Sequence, residues 1–589
     1  MNNNTNKTAS DIPAELQMTE AESKKATIPD ILTIITGLII IFGLAVLMFV
    51  LPDQTFSEQE NRTLQQFPEF SKESFWAGSR TYEDRDGNEK EGYTKKIAKY
   101  YSDQFPFRDM FAGLKGLTEI AMLKGENNNV MLGQDNYLIT KDDELKIDEA
   151  IEQLRTNIDY ISEFADVMNA MGKIPVTLAA AGRSVDALKI YLPPAYPKDS
   201  SSYSDKLWVS FNGLADYAKN IKRLNLLDPL RGLINKRDGR EYYYRTDHHW
   251  TTLGAYYAYV EIIKSFKEDG LEPLPLSAFE LEVAADDFYG TTWSKAGMKW
   301  IEPDIMYFYR YKGDEDFVTT LKDAGKTFNG FYDYTYLEKK DKYGAFLSGN
   351  NSRVDIVKPG EKRQKLLIIK DSFAHSAVPF LAYHYDLVIL DLRYYFDSAA
   401  MLVLDEEIDR VLFLHNIQNL SEDDIYGMLR FEAAKALNAY EKEQFPIRRI
   451  FINGNPIEDY KIVYPVEESK KRQDGHELAA ENLREMILTR TGIELEIAGA
   501  VNPEDLHGLD KVIMFLRDGL PESNMIKIAT EGNNLVFTCN IGDDSSVYAV
   551  NIFIDKYLRK AAGSFNFGAD FIYTDLGGDS FIMITPPAD

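Results

Sequence analysis

Residues 366–373 read Leu366-Leu367-Ile368-Ile369-Lys370-Asp371-Ser372-Phe373. Four apolar residues without alternation predict a strand buried on both faces, and the polar Lys-Asp-Ser that follows ends it in a turn before helix-like sequence. A serine placed there stands at the carboxyl end of a strand, the edge at which open α/β sheets bind ligands. Its backbone N–H falls at a helix start, where unpaired donors and the helix dipole favour negative charge. That combination suits a nucleophile with its own oxyanion donor.

Similar runs flank this turn. Residues 174–181 (IPVTLAAA), 387–390 and 411–414 predict further buried strands. Residues 147–170 carry Ile147, Ile151, Leu154, Ile158 and Ile161 at helical spacing, and residues 253–266 read as a Tyr- and Ala-rich helix. Short buried strands alternating with helices predict an α/β fold: a mostly parallel sheet with helices on both faces. The pattern changes near residue 446. Beyond it come strand-like residues 448–453 and 459–464, a helix over 476–490 ending at Gly492, and a hairpin around Glu531-Gly532-Asn533-Asn534. Ser545 or Ser546 is placed to cap a last helix with Val547, Val550, Ile554 and Leu558 on its inner face. This tail, 446–589, is expected to be a small α/β accessory domain.

The 589 residues set a prior of about three to four domains. With 44% apolar and 27% charged residues, the chain is globular, and a net charge of −27 argues against binding a phosphate backbone. The single cysteine, Cys539, rules out an internal disulfide and a cysteine-rich metal site. It shares a strand face with Leu535 and Phe537, the position of a small buried hydrophobe.

Residues 31–51 (ILTIITGLIIIFGLAVLMFVL) hold no charge. At 1.5 Å per residue they span roughly 30 Å, the thickness of a bilayer core. The run ends in bulky residues rather than a small-x-small cleavage site, so an uncleaved anchor is expected rather than a signal peptide. Lys24 and Lys25 precede it, while the first basic residues after it are Arg62 and Lys72, which places the N-terminus inside and the main domain outside the cytoplasmic membrane. Residues 1–30 are expected to be a polar, disordered cytoplasmic tail, 31–51 the anchor and 52–445 the main domain.

A serine hydroxyl needs a base, and the base needs an acid to orient it. Tyr242-Tyr243-Tyr244-Arg245-Thr246-Asp247-His248-His249-Trp250 supplies both, with Asp247 and His249 two residues apart. Three other readings compete. Asp-Ser after a strand is an ordinary helix cap. Asp247, His248 and His249 are competent metal ligands, although adjacent histidines seldom point the same way. His375 and His384, downstream of Ser372, are rival bases.

Taken together, the two motifs resemble the DHHW family of bacterial extracytoplasmic proteins, similar in turn to the AlgX/AlgJ polysaccharide O-acetyltransferases with their SGNH-hydrolase-like domain. Asp247-His248-His249-Trp250 matches the upstream motif. Lys370-Asp371-Ser372-Phe373 matches the downstream one, with Lys370 where the pattern has Gly. Glu60-Asn61-Arg62, Asp103-Gln104-Phe105-Pro106-Phe107-Arg108 and Asp391-Leu392-Arg393-Tyr394 extend the resemblance over roughly 52–440. It implies Ser372 as nucleophile, His249 as base and Asp247 as its partner. Asn350, Lys370, Arg393 and Trp250 are the candidate oxyanion or substrate contacts. No metal or cofactor is implied. The implied activity is O-acetylation of a cell-surface or secreted polysaccharide, with a multi-spanning membrane acyltransferase as acyl donor. A carbohydrate acetyl-esterase and a non-catalytic envelope protein are the alternatives. The tail is distantly similar to a small α/β domain of several glycoside hydrolases.

Overall fold

A computed structural model describes residues 28–57, 62–83, 89–141, 146–194, 196, 203–213, 218–466, 475–500, 508–517, 525–539, 545–559 and 562–576. The expected disordered tail falls outside these residues except at its end, as do Glu60 and Asn61. The chain forms two compact units, Met1–Leu117 and Thr118–Asp589.

The first unit opens with a 23-residue helix, Ile28–Val50, whose most apolar window is nowhere buried. By length and apolarity it can cross a membrane. It starts three residues ahead of the expected span because Pro29 and Asp30 both suit a first helical turn. The two motifs of this unit meet each other. Arg62 grips Asp103 through two hydrogen bonds of 2.6 and 2.9 Å, and Gln65 N–H donates to the same carboxylate. The Gln104 side chain donates to the Gln54 and Gln65 carbonyls and accepts from Gln54 N–H. The hydrogen bonds from Arg62 bring the Asp103 carboxyl down to about 2. These residues clasp the unit together.

An eight-stranded sheet organises the second unit. Its strands are β1 (Val176–Ala181), β2 (Ile221–Asn225), β3 (Val318–Leu321), β4 (Lys326–Asn329), β5 (Arg353–Val357), β6 (Lys365–Lys370), β7 (Asp386–Leu390) and β8 (Arg410–Asn416), in spatial order β4-β3-β5-β7-β6-β8-β1-β2. From β7 to β2 every pairing is parallel. The β5, β3 and β4 margin is antiparallel, so the sheet is mixed around a parallel centre. β1 and β8 are buried at every position, which is why the central strands read as unbroken apolar runs. Helix Ile147–Ala170 buries Leu154, Ile158, Ile161 and Phe164. Helix Thr252–Ser265 begins directly after Trp250, capped by the Thr251 side chain accepting from Gly254 N–H.

The tail has its own apolar cluster and a six-stranded mixed sheet. The hairpin pairs Met525–Glu531 with Asn534–Cys539, turning at Gly532 with φ 63°. Cys539 is buried, and burial pushes its thiol up to about 11.

Candidate active site

β6 ends at Lys370, and the chain turns through Asp371 into a short 3-10 helix, Ser372–Ala374. The Asp371 carboxylate fixes this turn: it accepts from Phe373 N–H at 2.8 Å and from Asn416 N–H, at the end of β8, at 2.6 Å. Ser372 is therefore held at the carboxyl edge of two neighbouring parallel strands. Its own N–H lies at the first residue of the helix, where no helical carbonyl can reach it.

The Asp247–Trp250 loop arrives over this turn. Trp250 is fully buried, and its indole N–H reaches the Phe373 carbonyl at 2.9 Å and Ser376 Oγ at 3.1 Å. Tyr243 OH donates to the Gly182 carbonyl just past β1. Asp304 receives Arg245 N–H, Thr246 N–H and the Thr246 hydroxyl. With both ends tied, His249 is placed with Nε2 2.8 Å from Ser372 Oγ and Nδ1 2.5 Å from Asp247 Oδ1. The second Asp247 oxygen accepts from Thr291 N–H at 2.8 Å and Thr291 Oγ1 at 3.0 Å. The Tyr343 ring stacks on the imidazole at 4.2 Å, and its hydroxyl donates to the Ser372 carbonyl.

The electrostatics fit the geometry. Burial alone would raise the Asp247 carboxyl, but the adjacent His248 and His249 and the hydrogen bonds from His249 hold it far below the usual carboxylate range. An anion is thus fixed behind His249. Burial keeps the Tyr343 phenol well above its ordinary value, so it stays neutral. Burial likewise lifts the Asp304 carboxyl to about 6.

The other candidates scatter. Lys370, expected to lie beside the reacting turn, points inward: its ammonium is buried between Asp391 Oδ2 and His375 Nε2, each at 2.9 Å. As the last residue of a central strand it faces the layer beneath the sheet edge. Arg393 holds the same Asp391 carboxylate through two bonds. Trp250 offers no surface to a substrate and instead pins the two loops. Asn350 is exposed, and among the described residues no hydrogen bond joins it to Ser372 or His249. The rival bases have other partners: His375 bonds Lys370, and His384 bonds Tyr259 OH. The His248 and His249 rings lie 3.8 Å apart, closer in orientation than adjacent histidines usually are. Asp247, His248 and His249 offer ligand atoms within 4.8 Å of one another, but both His249 nitrogens and both Asp247 oxygens already have partners here.

Thr291, Gly290, Tyr343, Asp304 and Asn416 were not among the expected site residues. Only Gly290 carried a signal, as a glycine opening the helix Thr291–Ala296: a Cβ there would stand 2.2 Å from Asp247 Cβ. A cleft of about 740 Å³ opens beside these residues, with His248, Thr291, Asn416, Arg183, Lys146 and Lys295 in its walls.

No curated protein matches the chain. Among solved structures, a DHHW family protein from Eubacterium siraeum aligns at 21% identity, covering 52% of this chain and 96% of its own, with a TM-score of 0.41. Bacillus cereus PatB1 with a sulfonyl adduct aligns at 21% identity over 52% and 99%, with a TM-score of 0.43. The O-acetyltransferase domain of Pseudomonas putida AlgJ aligns at 15% identity over 50% and 93%, with a TM-score of 0.32. Residues 215–390, the segment that contains Asp247, His249 and Ser372, match the family described as DHHW protein.

Proposed function

We propose that this chain is a membrane-anchored, extracytoplasmic O-acyltransferase that passes an acetyl group to a hydroxyl of a cell-surface polysaccharide through Ser372. The observation that carries this reading is the chain of two short hydrogen bonds, Asp247–His249 at 2.5 Å and His249–Ser372 at 2.8 Å, at the carboxyl edge of a parallel sheet.

In the first half-reaction Ser372 Oγ attacks the acyl carbonyl while His249 Nε2 takes its proton. Asp247 keeps Nδ1 protonated and balances the imidazolium. The negative charge on the carbonyl oxygen is met by the Ser372 N–H at the helix start. Collapse expels the donor's leaving group, which takes the proton back from His249 and leaves acyl-serine. In the second half, His249 deprotonates a sugar hydroxyl that attacks the ester, and Ser372 regains its proton. The cleft beside the triad gives the acceptor a place to lie. One helix among the described residues is apolar enough to cross a membrane, and a single span provides no route for an acyl group, so the donor is a multi-spanning membrane acyltransferase.

The test supplies full-length protein with an activated acetyl ester, with and without glycan. Ester consumption coupled to glycan acetylation, lost in Ser372→Ala, is the expected result. Ester consumption without transfer marks an esterase, and unchanged activity in Ser372→Ala refutes both enzymes.

A further inference from the structure

The helix Arg108–Ala121 is amphipathic in an unusual sense. Met110, Phe111, Leu114 and Leu117 fall within one third of its circumference at 100° per residue, and Phe107 immediately precedes the helix. That face is the exposed one: these four side chains are 38–56% exposed, while Gly116 on the other side is buried. The pattern extends through the first unit. Eleven large apolar side chains are exposed between Phe67 and Leu117, against fourteen among the described residues of the whole second unit. Phe70 and Trp76 are 65% and 78% exposed. Isolated exposed apolar residues are ordinary, but this density on one short stretch marks a surface that something covers.

The chain itself indicates what covers it. The same unit contains the Ile28–Val50 helix, so these residues emerge from any membrane that helix crosses and are tethered to its surface. Tethering makes a second, weaker contact with the bilayer effectively intramolecular. A face of Phe, Leu and Met backed by Arg108, Asp109 and Lys115, with Phe105 and Phe107 just before it, has the composition of an interfacial helix.

We propose that the first unit lies in the membrane interface, with the Met110–Leu117 face of this helix embedded among the lipid headgroups and upper acyl chains. The proposal rests on the reading of Ile28–Val50 as a membrane anchor. The unit is then a foot that holds the ectodomain at the bilayer, where a membrane-borne acyl donor would present its group.

The test uses full-length protein in vesicles of phosphatidylethanolamine and phosphatidylglycerol. Nitroxide labels are placed singly at Leu114→Cys, Asp109→Cys and Leu38→Cys. Cys539 is buried, and unlabelled wild type serves as the control. Collision with lipid-soluble oxygen is compared with collision with a water-soluble nickel chelate. Oxygen is expected to dominate at Leu114 and Leu38, and nickel at Asp109. Met110→Cys gives the same readout if Leu114→Cys does not fold. Nickel dominance at both Leu114 and Leu38 overturns the anchor. Nickel dominance at Leu114 alone, with Leu38 in lipid, overturns only the interfacial face. Protection of Leu114 from both reagents means that protein covers this face, and also overturns the proposal.

Discussion

His249 and Ser372 in the main sheet can be set against His476 and Ser546 in the tail. Both pairs are hydrogen-bonded, at 2.8 and 2.5 Å; the first joins a loop to the turn after a strand, the second joins two helices. They differ in what surrounds the bond. His476 and Ser546 are 3% and 2% exposed inside the tail's apolar cluster, beside a thiol that burial keeps protonated. Ser372 is only partly buried, its neighbours His248, Thr291 and Asn416 line a cleft, and Asp247 occupies the far nitrogen of its histidine. A histidine–serine bond of suitable length is therefore not enough to nominate a site. Access for a substrate and a fixed anion behind the ring separate a candidate nucleophile from a packing contact.

The comparison breaks if the two serines respond alike. Ser372→Ala is expected to cut acyl-ester turnover by about a millionfold, as loss of a nucleophile does in a triad acting as a unit. Ser546→Ala is expected to leave turnover intact and to lower stability by about 1–3 kcal/mol, the cost of leaving a buried partner unpaired. Next in size is Asp247→Asn, which leaves His249 in the wrong tautomer. A loss of about 10,000-fold in kcat with folding retained, read by steady-state kinetics and circular dichroism, is expected.

Two smaller effects concern the scaffold of the first pair. Lys370→Met removes one partner of a buried ion pair and leaves Asp391 to Arg393 alone. Urea unfolding should show a loss of about 3–5 kcal/mol. Asp304 ties down the Asp247 loop with a carboxyl raised to about 6 by burial. Its folded form holds a proton that the unfolded form, near its ordinary value, has released, so stability falls as pH rises from about 4 to about 6. About 3 kcal/mol of that fall should vanish in Asp304→Asn, measured as the difference between the two proteins' stability-pH curves.

Much of the parallel centre was legible because strands buried on both faces cannot hide: β1, β6, β7 and β8 each carry a run of at least three consecutive apolar residues. The polar turn after β6 and the Asp-x-His spacing likewise announced themselves. The antiparallel margin did not. β3 (VTTL), β4 (KTFN) and β5 (RVDIV) are short and half polar, and the pairing of β3 and β7 with β5 is set by neighbours distant in sequence. The ribbon Glu280–Phe288 and Asp304–Arg310, which brings Asp304 and Thr291 to the loop, is broken by register shifts that spoil its alternation. Lys370 and Trp250 misled for another reason. Cation and ring are both common ligand contacts, and only the fold shows that one is buried on Asp391 and the other pinned to Phe373. The motifs around Arg62 and Asp103, carried by the resemblance alone, turn out to be one clasp.

The most direct measurement is the mass of the intact protein after brief exposure to an activated acetyl ester, followed by peptide mapping. One acetyl group is expected, on Ser372, that forms in wild type, is strongly slowed in Asp247→Asn and is absent in Ser372→Ala. An acetyl group found on another residue and persisting in Ser372→Ala would contradict this assignment.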